Sequence, residues 1–544
     1  MKDAEKNDRT LFSTLEKEAY NRGRTHDVPS AAFFRPWTPK GAAHWINSIF
    51  TADWSNPSNP ARTGTCDDST KIAAAITPYY EALFAQKPTD RDAMNTCLDT
   101  LRDHTSKRVL PPTAAACGAE ITEREVNATC NNLPHGKSPG PDRLPNKFYS
   151  TFAAVIAPIL VEVFNEGHDV GELHKGCADG NISLIYKKKD RDDPRNYRPI
   201  TLLNGDYKIL MRILASRMNL AVQQFVSDTQ TGFVLDAFLA ENVMLLKLIQ
   251  AYIEDEDSDA YFIFLDMEKA FDRCSWEFLI EAMRAIGFND SFIDYIKLVY
   301  SHEHAPQRQL YVNGSLGPKF SLGSGVAQGC PISPLLFLLI AEPLSRLIQQ
   351  NEGIQGVQIS GINHKIAQFA DDSGLIHRLG DEVASSESID TWENATSMTE
   401  NKGKRDGILL GKLNRERHRA PTGVIQGDAW CEDGQTIRYL GAPIGNNMDE
   451  LTWWNAKYRT VKTRISLWPS MRRLSISGRN LLLQSIFYGS FRFYLYFMVM
   501  PKSIMDMIES DAKQILCMGH HTEAASERRR IRKMQKIHTR SAQL

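Results

Sequence analysis

Three aspartates constrain this chain more than any other feature of its sequence. Residues 261–266, YFIFLD, form a short aromatic-rich run with the composition of a buried strand, and the run ends on the ionisable Asp266. Residues 365–379, KIAQFADDSGLIHRL, read as strand, turn and strand, with Asp371 and Asp372 at the turn. A carboxylate at the end of a buried strand is costly unless something cationic meets it, and two adjacent aspartates also repel each other. A hard divalent cation with oxygen ligands relieves both problems. If the two strands lie side by side in one sheet, the carboxylates converge on a site for two Mg²⁺ ions, the arrangement that stabilises attacking and leaving oxygens in phosphoryl transfer. Taken singly, each aspartate is better explained as a turn residue accepting backbone hydrogen bonds.

The rest of the composition sets bounds. Of 544 residues, 42% are hydrophobic, which excludes wholesale disorder. The 64 Lys+Arg and 65 Asp+Glu leave a net charge of -1, so only the distribution of charge carries information about partners. Nine cysteines without a Cys-x-x-Cys pair argue for reduced thiols and against a disulfide framework or a zinc ribbon. The polar N-terminus does not read as a secretory signal, and no apolar run reaches the roughly 20 residues of a bilayer span. The expectation is a soluble intracellular protein with no membrane partner.

Along the chain, residues 1–120 read as a loosely packed lead-in. A helix with a capping box, Thr122 and Glu125, starts near 121. It runs into a Gly/Pro-rich loop, HGKSPGPDRLPNKF, and then a helix, FYSTFAAVIAPILVEVF. NISLIYKKKD and NYRPITLL read as extended, YKILMRILASRMNLAVQQFV as a helix, and the acidic run 254–259 as a solvated turn. CSWEFLIEAMRAIG is a helix stopping at glycine, QLYVNG…PKFSLGSG a hairpin, and PISPLLFLLIAEPLSRLIQQ a mostly buried helix. From about 450, Leu451, Trp454, Tyr458, Val461, Ile465 and Trp468 form one helical apolar stripe. Between 457 and 484 stand seven Lys/Arg and no acid, and the chain closes on a basic stretch, RRRIRKMQKIHTR.

FLDMEKAFD, SGVAQGCPISPLLF and QFADDSG, in this order, resemble three consecutive palm motifs of reverse transcriptases. With KSPGPDRLPNKFY, NYRPITLLNGDYKILMRILASRM, TQTGFV, RYLGAPIG and LSISGR, the chain is similar to the non-LTR (LINE-type) retrotransposon family over roughly 121–520. The resemblance implies an α+β right-hand polymerase. Fingers would occupy 121–235, and a palm of antiparallel sheet plus helices with a primer-grip hairpin 236–446. A helical thumb over 447–520 and a basic tail over 521–544 would follow. It implies an RNA template, a DNA primer or target DNA, deoxynucleoside triphosphates, and Mg²⁺ with Mn²⁺ as a substitute. From the habit of such elements it also implies work in the nucleus; the oligomeric state is not readable.

Carried over residue by residue, the resemblance makes Asp266 and Asp371 metal ligands, with the Met267 carbonyl completing a shell and Asp372 in an auxiliary electrostatic role. Phe271 stands where the family places an aromatic under the incoming sugar, a ring that would clash with a ribose 2′-hydroxyl. Lys187, Arg198, Gln328, Gly329 and Lys404 would contact the nucleotide, Lys404 as a proton donor to the leaving pyrophosphate. Tyr439, Leu440 and Gly441 would centre the primer grip, and Lys137, Pro331 and Ser333 would face the template. For Phe271, core packing is the plain alternative; for the lysines, it is a solvated surface.

The sequence also departs from the family. Where relatives read Arg-Gly-Val-Arg-Gln-Gly, Ser324 and Ala327 replace the arginines, and Ala237 replaces an arginine downstream of the GFV segment. These losses imply weaker template contact, so a catalytically silent nucleic-acid-binding remnant is one rival reading. A group II intron-type enzyme and a viral RNA-directed RNA polymerase are others. The lack of a maturase-like segment counts against the first of these, and Phe271 against the second. The expectation is a polymerase unit without its own endonuclease, Cys/His knuckle or ribonuclease H module.

Overall fold

A computed structural model describes residues 45–517, apart from 58–59, 104–105 and 467–473. Residues 1–44 of the expected lead-in, Trp468, Arg472, Arg473 and the basic tail lie outside the described residues. Two compact units divide at 448/449, and each is taken by itself.

From residue 45 the first unit is already folded, which corrects the reading of a loose lead-in. Strands β1 (Ile49–Asp53) and β2 (Ala61–Cys66) form an antiparallel hairpin, and the Asn/Pro cluster is its connection. In the following Ile72–Phe84 helix, Ile72, Ile76, Tyr79, Tyr80 and Leu83 recur on one buried face of the main core. Trp54 lies 4.8 Å from the Tyr79 ring. The helical spacing of IAAAITPYYEALF is readable in the sequence; its place in the main core is not. The Thr122 capping box is present, with Glu125 reciprocating. The single helix expected after it is two, Asn146–Thr151 and Ala153–Val170, broken at Phe152. The Tyr149 ring is turned inward against Gly205, where a Cβ would stand 2.0 Å from it.

One sheet contains β3 (Gly180–Tyr186), β4 (Tyr197–Leu203), β6 (Gln307–Val312) and β7 (Ser315–Ser321) in the order β4-β3-β6-β7, with β3 and β6 parallel. It joins segments from both sides of the 235/236 boundary expected from sequence. A second sheet contains β5 (Asp259–Leu265), β10 (Ile366–Phe369), β11 (Asp372–His377) and β12 (Asp406–Leu410) in the order β10-β11-β5-β12, antiparallel throughout. Hairpins β8–β9 (Val357–Ile359, Ile362–His364) and β13–β14 (Ile437–Tyr439, Ala442–Ile444) are separate.

Ala260–Leu265 of β5 is apolar without alternation because both faces of this central strand are covered. Tyr261, Ile263 and Leu265 join the main core. On the other face Phe264 meets the Tyr439 ring at 4.8 Å, so the β13–β14 hairpin acts as a lid. The Ser333–Gln350 helix is buried almost all round.

The second unit is helical. Glu450–Ser466 buries Trp454, Tyr458, Val461 and Ile465 of the expected stripe, while Leu451, in its first turn, is exposed. The Ile476–Leu482 and Lys502–Cys517 helices contribute Leu482, Ile504, Ile508, Ala512 and Ile515. Among the described residues no helix is long and apolar enough to cross a membrane.

Candidate active site

Strand register brings the three aspartates together. Leu265 of β5 pairs with Ser373 of β11, and one further step sets Asp266 opposite Asp372. Opposed residues of an antiparallel pair have Cα atoms about 4.5–5.5 Å apart. Asp371 is the second residue of the two-residue turn closed by the Phe369–Asp372 pair; its neighbour Ala370 takes φ 54°. On the other side of β5, Phe264 pairs with Asp406, and the same register continued sets Lys404 opposite Asp266. The Lys404 ammonium donates to Asp266 Oδ2. Behind it, the Asn401 amide donates to the Asp266 carbonyl at 2.7 Å, and the Lys404 amide to the Asn401 carbonyl at 2.8 Å.

Asp266 raises the proton affinity of both Asp371 and Asp372. Asp371 is pushed above the usual carboxylate range, chiefly by burial and further by Asp266, while Lys187 and Arg198 pull it down. Asp372 is pushed up to about 6 by desolvation and then by Asp371 and Asp266. Lys187, although its side chain is exposed, is held below its ordinary range by partial desolvation of its ammonium and by Arg198 and Lys404. A group of carboxylates in which two are disfavoured as anions, with oxygen as the only donor element, fits a hard divalent ion. Asp266 and Asp371, with Asp372 beside them, are the residues that would hold it.

Lys187 and Arg198 sit at the end of the β3–β4 hairpin that carries its connecting loop, where Ile185 pairs with Arg198; both are exposed. Their charges reach Asp371, so the hairpin carries its cations to the acids. Phe271 is half-buried, stacked on Phe337 at 5.0 Å and edge-on to the exposed Phe233 at 6.3 Å. Its carbonyl accepts from the Val326 amide at 2.7 Å, which ties it to the loop carrying Gln328 and Gly329. Gln328 donates to Asp272 Oδ1 at 2.9 Å, and its carbonyl accepts from the Thr201 amide at 2.7 Å. Gly329 is exposed at φ 118°, and a Cβ there would stand 2.7 Å from the Thr201 carbonyl oxygen. Met267 bridges antiparallel to Glu400, which fixes the direction of its carbonyl.

Tyr439 is buried and donates to the Ala367 carbonyl at 3.2 Å; Leu440 (φ 49°) and Gly441 (φ 87°) form the hairpin tip. Lys137 is exposed on its loop, and Pro331 is partly covered. Ser333 corrects the template assignment. It is 1% exposed, with Oγ 3.4 Å from the Tyr300 hydroxyl, so it supports the helix start and presents no surface to a template. Ser324 is also buried, hydrogen-bonded to the Ala85 carbonyl at 3.1 Å, and Ala327 is 8% exposed.

Sequence reasoning quoted TQTGFV without giving it a role. Gln230 Oε1 accepts from the Ala370 and Gly232 amides, each at 2.8 Å, and so clamps the turn that carries Asp371. Thr231 and Gln368 exchange backbone bonds with the same segment, and Asn242 donates to the Gln368 carbonyl at 2.7 Å. Nothing in the sequence marked this role; in the structure a Cβ on Gly232, two residues after Gln230, would meet the Ala370 amide nitrogen at 2.2 Å.

Comparison with known proteins agrees with this geometry. Residues 186–444 match the family described as reverse transcriptase (RNA-dependent DNA polymerase), whose members use divalent metal ions. The chain is 27% identical over 514 residues to the uncharacterized 149 kDa protein of transposon TX1 of Xenopus laevis, covering 92% of this chain and 37% of that one. It is 26% identical over 329 residues to the retrovirus-related Pol polyprotein from type-2 retrotransposable element R2DM of Drosophila melanogaster, covering 60% and 29%. It is 23% identical over 390 residues to the RNA-directed DNA polymerase from mobile element jockey of the same fly, covering 68% and 41%. The chain thus spans less than half the length of each of these relatives. Residues 186–444 are a reverse transcriptase domain, in a chain whose relatives are proteins of non-LTR retrotransposons.

Proposed function

We propose that this chain is an RNA-directed DNA polymerase that extends the 3′-hydroxyl of a DNA primer or target strand on an RNA template. It would consume deoxynucleoside triphosphates and release pyrophosphate. The observation that carries the reading is the meeting of Asp266 with Asp371 and Asp372 at one end of the second sheet, with Lys404, Lys187 and Arg198 around them. In this reading β3–β4 belongs to the fingers (121–235), the aspartate sheet to the palm (236–446), and 447–520 is the thumb.

Asp266, Asp371 and the Met267 carbonyl would hold two Mg²⁺ ions, replaceable by Mn²⁺, which supply charge stabilisation to the attacking and leaving oxygens. Lys187 and Arg198 neutralise the triphosphate and orient it. Lys404, already on Asp266 Oδ2, is placed to give a proton to the departing phosphate oxygen. Phe271, braced by Phe337, lies under the sugar and excludes a 2′-hydroxyl. Gly329 lets backbone approach the base pair, and the Leu440–Gly441 tip holds the primer end.

The test is incorporation of labelled dTTP on a poly(rA)/oligo(dT) duplex with Mg²⁺ or Mn²⁺. Asp371→Asn should abolish incorporation and leave salt-sensitive duplex binding intact. The silent-remnant reading, favoured by Ser324, Ala327 and Ala237, expects duplex binding without incorporation in the unaltered chain.

A further inference from the structure

Ahead of β3 the chain makes a tight turn from His174 to Cys177, closed by the Cys177 amide on the His174 carbonyl at 3.0 Å, with Gly176 at φ 83°. Asn204 donates to the Gly176 carbonyl at 3.1 Å and docks this turn on the start of the Gly205–Phe225 helix. Asp206, in the first turn of that helix, accepts from the Tyr207 amide with Oδ1 at 2.7 Å and meets His174 Nε2 with Oδ2 at 3.0 Å. The Cys177 thiol is fully buried beside them. One donor atom from each of His174, Cys177 and Asp206 lies within 4.8 Å of the other two, the one such group found among the described residues.

We propose that His174, Cys177 and Asp206 bind a zinc-class transition-metal ion that staples the turn before β3 to the helix after β4. The His-x-x-Cys spacing sets a ring nitrogen and a sulfur on one side of one turn, the half-site geometry of structural zinc sites. Imidazole nitrogen, thiolate and carboxylate together suit zinc and not magnesium. Tetrahedral zinc would space its donors ~3.3–3.8 Å apart. The His174–Asp206 pair, at 3.0 Å, would widen slightly, and the distances to the thiol would contract by up to about 1.5 Å.

Charge supports the same assignment. Burial raises the proton affinity of the Cys177 thiol, and Asp206, Asp142 and Asp179 add to it. Asp142 is itself pushed up by burial and by Asp206. Half-buried Lys208 offsets part of this field. The His174–Asp206 hydrogen bond alone accounts for those two side chains but not for a thiol set among acids. A divalent ion would convert the thiol to thiolate and satisfy the acids together. The fourth position opens to water on the side of the half-exposed His174.

The test uses the full chain expressed with zinc and passed through gel filtration in excess Mg²⁺, which fills the oxygen sites of the polymerase centre. We expect one zinc per chain by elemental analysis. After removal by phenanthroline, Co²⁺ should restore a near-ultraviolet thiolate charge-transfer band. Phenanthroline should lower the melting temperature of the unaltered chain. Cys177→Ser should lose the band, and His174→Ala, at a half-exposed position that folding tolerates, should weaken zinc binding by more than about tenfold, the loss expected for even an outer partner. A folded chain that emerges without zinc overturns the proposal. So does a cobalt band that survives in Cys177→Ser, or zinc affinity unchanged in His174→Ala should the serine variant fail to fold.

Discussion

Asp272 closes FLDMEKAFD, six residues after Asp266. It is 1% exposed, Oδ1 takes the Gln328 amide, and burial pushes its carboxyl up to about 6 despite Lys269 and Arg273. Its proton is bound more tightly in the folded chain than in the unfolded one. The carboxyl therefore contributes most stability at acid pH and loses that contribution as pH rises through the window from about 4 to about 6. Asp272→Asn keeps the shape without the ionisation. Urea midpoints should show the variant gaining on the unaltered chain by ~3 kcal/mol between pH 4 and pH 7. At Phe271 the expectation concerns specificity. Phe271→Ala should lower the preference for dTTP over UTP by about tenfold or more, ~1.4 kcal/mol in transition-state terms. An unchanged ratio in single-nucleotide extension would remove the ring from that role. At this scale motif residues with fixed spacing, such as Asp266 and Asp371, were legible. Residues defined by burial, such as Asp272 and Ser333, were not, because burial depends on partners far away in the chain.

Among the helices, Ser333–Gln350 organises its neighbours through a buried ion pair. Arg346 Nε donates to Glu342 Oε1 at 2.7 Å, and both side chains are at most 1% exposed. The guanidinium also donates to the carbonyls of Thr100 and Leu101 at 3.2 Å and of Phe225 at 2.7 Å, so it caps the C-terminal turns of two other helices. Glu342 in turn accepts from the Ser227 amide at 3.0 Å. Arg346→Met should cost ~3–5 kcal/mol in denaturant unfolding, because it leaves a buried carboxylate alone. The double change Glu342→Leu with Arg346→Met should cost less than the single one. Element type was readable locally: YFIFLD from its aromatic composition, the hairpin around Asp371 from its strand–turn–strand pattern, and the Glu450–Ser466 helix from its apolar spacing. What spacing could not give is which arginine on a helix turns inward. Arg346 and an exposed arginine look alike in a window of local sequence.

On the scale of the whole molecule, the acid-free basic run from 457 to 484 is partly neutralised from outside itself. Lys462 pairs with Asp511 at 3.0 Å, Lys457 lies 4.4 Å over the Tyr494 ring, and Arg479 is 5% exposed. The neutralising acid comes from the Lys502–Cys517 helix, beyond the reach of a local charge count. Arg459 and Arg464 are exposed. If this unit grips a duplex, Arg459→Ala with Arg464→Ala should weaken binding evenly across sequences and reduce the log–log salt slope by about 2. An unchanged slope in filter binding would move the phosphate contacts elsewhere. The position of β5 has a further consequence for how such a chain can vary. Acid on one side of residue 266 and lysine on the other are matched by counting along three adjacent strands. One inserted codon within the strand would exchange its two surfaces, leaving every motif intact and the chemistry undone. Length variation among descendants of this sequence should therefore collect in the connections and spare that strand.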